Sequence, residues 1–342
     1  MGNVVSVLYL LLFCAAGWLA ARRILPQEAP ELTVPLGCGL GVSLLAALPA
    51  VVALPLGFTL PAVLLGGAAA LALGIYLWAK RPPFIKPGRD WLPLALCAGT
   101  LFVLTYVILH THILNLVDGV YHTGQSCYGD TAMHLAFIKS IAVNGIFPPS
   151  YPLLAGEVAM NYPFLCETVS SCFLLLGADL RLAYLLPVFP AFLSVYGMGW
   201  QLAKRMLGHA GKASLAFWLF FMGSGFGFCY FMDSKESFAS IFTGFYTTPT
   251  NYTVKNIVWV NPIADLLVPQ RATLFGWCIL FPALYLLWRF AMEGETKLWL
   301  PLALLVLPLP LLQTHSALAL VLFCLACGFY TLFNRPRTKE NL

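Results

Sequence analysis

Asp130 and His134 stand four apart in Gly129-Asp130-Thr131-Ala132-Met133-His134, a spacing that brings both side chains to one face of a helix. A carboxylate and an imidazole so placed suit acid–base chemistry, one as base and the other as its partner, or a shared divalent metal ion. Asp130 also precedes a helical pattern in which Met133, Phe137 and Ile141 recur at helix spacing and Asn144-Gly145 supplies a stop. It therefore fits an N-cap accepting from the first-turn N–H groups equally well. The two roles are compatible.

Three other stretches carry polar residues. The proline-stiffened run Phe147-Pro148-Pro149-Ser150-Tyr151-Pro152 leads to Glu157, Asn161 and Tyr162, and reads either as a connector or as a platform that hydrogen-bonds a polar substrate. Gln270 and Arg271 open an apolar helix. The arginine there suits either snorkelling to lipid headgroups or binding a phosphate with its fork of donors. Gln313-Thr314-His315-Ser316 interrupts an apolar stretch too long for one span, with His315 as a turn residue or a lining residue.

The elements that must position these residues are membrane helices. Of the 342 residues, 60% are hydrophobic and 10% charged, far from a soluble composition. The apolar runs are continuous rather than alternating, which argues against a β-barrel and for an all-α polytopic membrane protein. About nine spans are expected, at residues 3–21, 33–54, 58–79, 91–112, 182–201, 212–231, 271–290, 298–312 and 316–333. Residues 163–177 are apolar but short for a span, and they carry Glu167, Ser170 and Ser171. Prolines at 35, 49, 61, 187, 190, 282, 308 and 310 imply kinks or breaks. A net charge of +5 makes no case for nucleic acid. Most of the ten cysteines lie in apolar runs as small buried residues; Cys127 and Cys166 sit in polar surroundings and could pair on an oxidising side.

Basic residues set the orientation. With residues 163–177 not crossing, fourteen of the nineteen Lys and Arg residues fall on one side, which the positive-inside rule makes cytoplasmic. The N-terminus is then outside and the C-terminus inside, in a bacterial plasma membrane. This puts an external loop of residues 113–181, with interfacial helices, and an aromatic external loop of residues 233–270 on one face. Residues 1–90 form a three-span N-terminal segment, and residues 91–342 a second unit that holds both loops.

Gly129-Asp130 with His134 is followed by an FPP…P…AGE…NYPF loop, by LGADLRLAYLLPVFPAFLSVYGMGWQLAKRMLG, by PQRATLFG and by QTHS. In this order, over residues 92–333, the chain resembles the GT-C superfamily of membrane glycosyltransferases, in the branch similar to dolichyl-phosphate-mannose protein mannosyltransferases. The resemblance implies transfer of a sugar from a polyprenyl-phosphate donor on the outer face. Asp130 would be the catalytic carboxylate, a base on the acceptor or a ligand to a divalent cation such as Mg²⁺ or Mn²⁺. His134 would support it, and Arg271 would contact the donor phosphate. The three spans ahead of the one leading into the loop depart from the family pattern.

Two other classes compete. A lipid or solute transporter or flippase would show repeats and charged, broken helices near the membrane centre, whereas the ionisable residues here gather toward one interface. A non-catalytic scaffold subunit of an envelope glycan complex is the other. With no His-Glu-x-x-His, a zinc metalloprotease has no support.

Overall fold

A run of about twenty apolar residues closes all its backbone hydrogen bonds internally only as a helix, and at about 1.5 Å per residue it is about as long as a bilayer core is thick. Among the described residues, seven helices meet that length and hydropathy. In the computed structural model, residues 1–124, 127–156, 158–223, 239, 251–252, 255–258 and 260–334 are described. Among the described residues the regular structure is helical apart from two small antiparallel hairpins and an isolated bridge between Ser150 and Ala159.

The N-terminal helices are α1 (Gly2–Ile24), α2 (Pro30–Leu56), α3 (Leu60–Ala79) and α4 (Trp91–His112). A hairpin of β1 (Asn115–Val117) and β2 (Val120–His122) follows, then α5 (Cys127–Asn144) and the short α6 (Leu165–Leu175). Next come α7 (Leu180–Leu185), α8 (Val188–Leu207) and α9 (Ala210–Phe221). The second hairpin, β3 (Asn251–Tyr252) with β4 (Ile257–Val258), precedes α10 (Arg271–Glu293). The chain then forms α11 (Trp299–Val306), α12 (Leu309–Leu312) and α13 (Thr314–Asn334). Most of the expected aromatic loop, residues 233–270, and the latter half of the expected span at 212–231 lie outside the described residues.

The prolines divide by position. Pro187 and Pro308 fall at breaks, between α7 and α8 and between α11 and α12. Pro61 and Pro310 sit in the first turns of α3 and α12, where the missing N–H costs nothing. Pro35, Pro49 and Pro282 lie inside continuous helices.

The two ends of the bundle are defined by hydrogen bonds. At one end Asn3 binds Asp179, the Phe58 N–H donates to the Gly145 carbonyl at 2.7 Å, and Arg181 donates to the His110 carbonyl at 2.9 Å. The other end holds the ion pairs Arg289–Glu28, Arg205–Glu293 and Lys204–Asp90. α6, about 17 Å long, has its C-terminal flank Gly177 against Gly2, while Cys166 at its start lies beside Arg271. Both ends of α6 therefore belong to the polar-loop end.

Inside the bundle, buried hydroxyls are matched across helices: Thr105 with Tyr196 at 2.6 Å, Ser43 to the Leu305 carbonyl at 2.9 Å, and Ser194 to the Cys278 carbonyl at 2.9 Å. α1 and α2 cross on glycine. A Cβ on Gly17 would lie 2.3 Å from the Gly37 oxygen and 2.4 Å from the Gly41 nitrogen, so only hydrogen fits between the two backbones. Gly17→Leu is expected to force the helices apart and cost about 3 kcal/mol, read as a lower melting temperature in detergent. Gly99→Ala, with nothing within 4 Å of the new methyl, should leave melting unchanged or slightly raised; equal effects of the two would contradict the tight crossing.

Candidate functional site

Asp130 lies in the first turn of α5 rather than at its cap, because the helix begins at Cys127. A carboxylate is favoured there by the exposed N–H groups and the helix dipole. It is half-buried, and its Oδ2 accepts a hydrogen bond from Nε2 of Gln270, which immediately precedes α10. That bond ties two segments 140 residues apart.

His134, one turn further along α5, points the other way in partnership. It is fully buried, and its Nδ1 lies 2.6 Å from Oε1 of Glu167 on α6. An ionised carboxylate only accepts, so Nδ1 carries the proton and donates. Nε2 of the same ring is buried and has no hydrogen-bond partner among the described residues. Tyr162 packs its ring edge-on against the imidazole, centroids 6.2 Å apart, and against Phe137 at 5.5 Å.

The second oxygen of Glu167 lies 3.4 Å from Nε of Arg271. Arg271 is 1% exposed, so it neither snorkels nor stands open at the helix mouth. Its Nη1 donates to the Tyr184 carbonyl at 2.8 Å, and its Nη2 to Ser170 Oγ at 2.6 Å and to the Cys166 carbonyl at 3.3 Å. The guanidinium also stacks 4.3 Å from the Tyr184 ring centre. Ser171 Oγ, which donates to the Ile138 carbonyl at 2.9 Å, closes α6 onto α5. Cys166 is a buried free thiol whose Sγ lies 3.2 Å from Glu167 Oε1, so it contributes a weak donor to the carboxylate rather than a disulfide.

Burial pushes the Glu167 carboxyl up, but the charge and hydrogen bond of His134 and the charge of Arg271 pull harder and hold it below the usual carboxylate range. Burial, with the neighbouring Cys166 and Glu167, raises the Tyr162 hydroxyl.

The other sequence candidates are placed as follows. Asn161 is exposed, and Glu157 lies outside the described residues. His315 is exposed on the first turn of α13. The inward residue of that motif is Gln313, which donates to Thr273 Oγ1 at 3.0 Å and accepts from Ser316. Asp130 and His134 thus share a helix but not a partner. Among the described residues no group of three or more His, Cys, Asp or Glu is placed to hold a metal ion. In the sequence Glu167 and Ser170 mark residues 163–177 as a segment that does not span, and the signal that could have singled Glu167 out is that an ionisable residue in an apolar segment is itself a functional sign.

Glu167→Ala is expected to leave Arg271 buried beside an empty site, at a cost of about 3–5 kcal/mol. The pH dependence has a definite sign. A carboxyl whose folded pKa is lowered adds stability that is full above its unfolded value, about 4.3, and is lost as pH falls through the lower folded value. Melting temperature in detergent should therefore drop below about pH 4.3, and Glu167→Gln should remove that component; an identical acid profile in the variant would contradict the ionised pair. Set beside known protein families, curated proteins and solved structures, the chain matches none of them.

Proposed function

We propose that the protein is an integral-membrane glycosyltransferase that moves a sugar from a polyprenyl-phosphate donor to an acceptor hydroxyl on the outer face. The observation that carries this reading is the placement of Asp130. Its carboxylate is half-exposed and aimed by Gln270, one helical turn from the buried His134–Glu167–Arg271 set.

In the proposed reaction the acceptor oxygen bonds to the anomeric carbon while the bond from that carbon to the phosphate oxygen breaks. The phosphate leaves with the bonding electron pair, and Asp130 takes the hydroxyl proton. Gln270 restrains the carboxylate for that task. Arg271 is a positioning residue in this scheme: its charge faces Glu167 and its Nη donors are directed to Ser170 and two carbonyls, so it holds α6, α7 and α10 behind the reacting groups.

An apolar hollow of about 200 Å³ supports a lipid-linked donor. It is lined by Val51, Leu54, Phe147, Phe164, Leu165 and Leu311 among others. Val51, Leu54 and Leu311 are half or more exposed on the bundle surface, where a lipid tail could enter beside the start of α6. The proposal takes nine crossings with the N-terminus outside: the seven long helices together with α9 and the broken α11–α12 segment, which are shorter apolar helices.

Asp130→Asn should abolish release of polyprenyl phosphate from a panel of polyprenyl-phosphate sugars, by at least about a hundredfold, with melting unchanged. Turnover like that of the wild type would refute the assignment of Asp130. For the orientation, Lys212→Cys, exposed near the start of α9, should resist a membrane-impermeant thiol reagent in right-side-out vesicles. Labelling there would reverse the proposed sidedness.

A further inference from the structure

At the end of the bundle opposite Asp130, the last turn of α1, the last turn of α3 and the segment after α3 enclose an open hollow of about 680 Å³. Its walls include Trp18, Arg22, Trp78, Arg81, Pro82 and Phe84. Trp78 and Phe84 are 54% and 60% exposed. Large aromatic side chains exposed at the end of membrane helices suit the headgroup level of a bilayer.

Two cations are held within these walls. Arg22 is 8% exposed, fixed by one hydrogen bond from Nη2 to the Pro82 carbonyl at 2.7 Å. Its guanidinium lies 5.1 Å from the Trp18 ring centre and 5.7 Å from that of Phe84. Arg81 is stacked 3.8 Å from the Trp78 ring centre and donates Nη1 to the Trp78 carbonyl at 2.7 Å. Among the described residues neither arginine has a carboxylate within ion-pair distance, in contrast to Arg205 and Arg289 at the same end. The Trp18 indole adds a separate sign: its Nε1–H is buried and has no acceptor among the described residues. A buried donor without an acceptor is costly, by about 1–3 kcal/mol.

We propose that this hollow binds the phosphate of an anionic phospholipid. The two guanidinium forks are pre-set by backbone carbonyls and stacked rings, which leaves their other N–H groups for phosphate oxygens. Trp18 lies on the same wall beside Arg22, and the exposed rings of Trp78 and Phe84 lie where acyl carbons would run. A zwitterionic lipid offers the same phosphate, but carries a cation that the arginine pair repels. The site is remote from Asp130 and stands whether or not the glycosyltransferase reading does.

Native mass spectrometry of the detergent-solubilised full chain tests this with phosphatidylglycerol, phosphatidylcholine and inorganic phosphate as probes. Phosphatidylglycerol should be retained about fivefold or more over phosphatidylcholine, and Arg22→Gln or Arg81→Gln should each reduce its retention about fivefold. Arg81 is exposed, so its variant carries the test if Arg22→Gln fails to fold. Equal retention of the two lipids, or wild-type retention by Arg81→Gln, would overturn the proposal. Retention of inorganic phosphate without phosphatidylglycerol would overturn it in favour of a soluble anion.

Discussion

A carboxylate cut off from water stays ionised only when cations and donors take the place of its hydration shell. Glu167 meets that condition with His134 on one oxygen and Arg271 on the other. Because His134 belongs to α5, Glu167 to α6 and Arg271 to α10, the charge balance also joins three helices. Arg271 extends the join to α7 through the Tyr184 carbonyl. Lipid gives apolar helices little reason to prefer one another over hydrocarbon, so such polar ties and close backbone contacts such as Gly17 against Gly37 specify the packing.

The same arrangement separates two roles along one helix. His134 faces the interior and is fixed there by its carboxylate, while Asp130, one turn earlier, stays half-exposed and takes a neutral amide as partner. A neutral partner restrains Asp130 without a compensating charge, which suits the proton acceptor proposed above. A cation in that position would lower its basicity.

The two ends of the bundle use charge differently. At the Asp130 end the pair Glu167–Arg271 sits inside, shielded from water. At the opposite end the pairs Lys204–Asp90 and Arg205–Glu293 are partly exposed, each contributing little in water but together fixing where α8 and α10 terminate, while Arg289 is buried between Glu28 and Glu295. Arg22 and Arg81 stand apart from that pattern, stacked on aromatic rings instead of paired with acids.

The residue order alone determined the membrane class and most helix limits. Trp91–His112 was expected and found with the same ends, because the number of consecutive apolar residues is a direct measure of a length. It also marked Asp130, His134 and Arg271 as residues of interest, since polar groups are costly in apolar runs. Of the two roles open to Asp130, the cap falls away, because helix starts shift by a turn when the preceding residues can extend the helix. What the tertiary structure decided was partnership. The i to i+4 spacing suggested that Asp130 and His134 work together, yet each takes a partner from a distant segment, Gln270 and Glu167. Spacing along a helix says which side chains are near one another, but a buried charge goes to whichever complementary group the packing of other helices brings within reach. No periodicity in the chain encodes that choice.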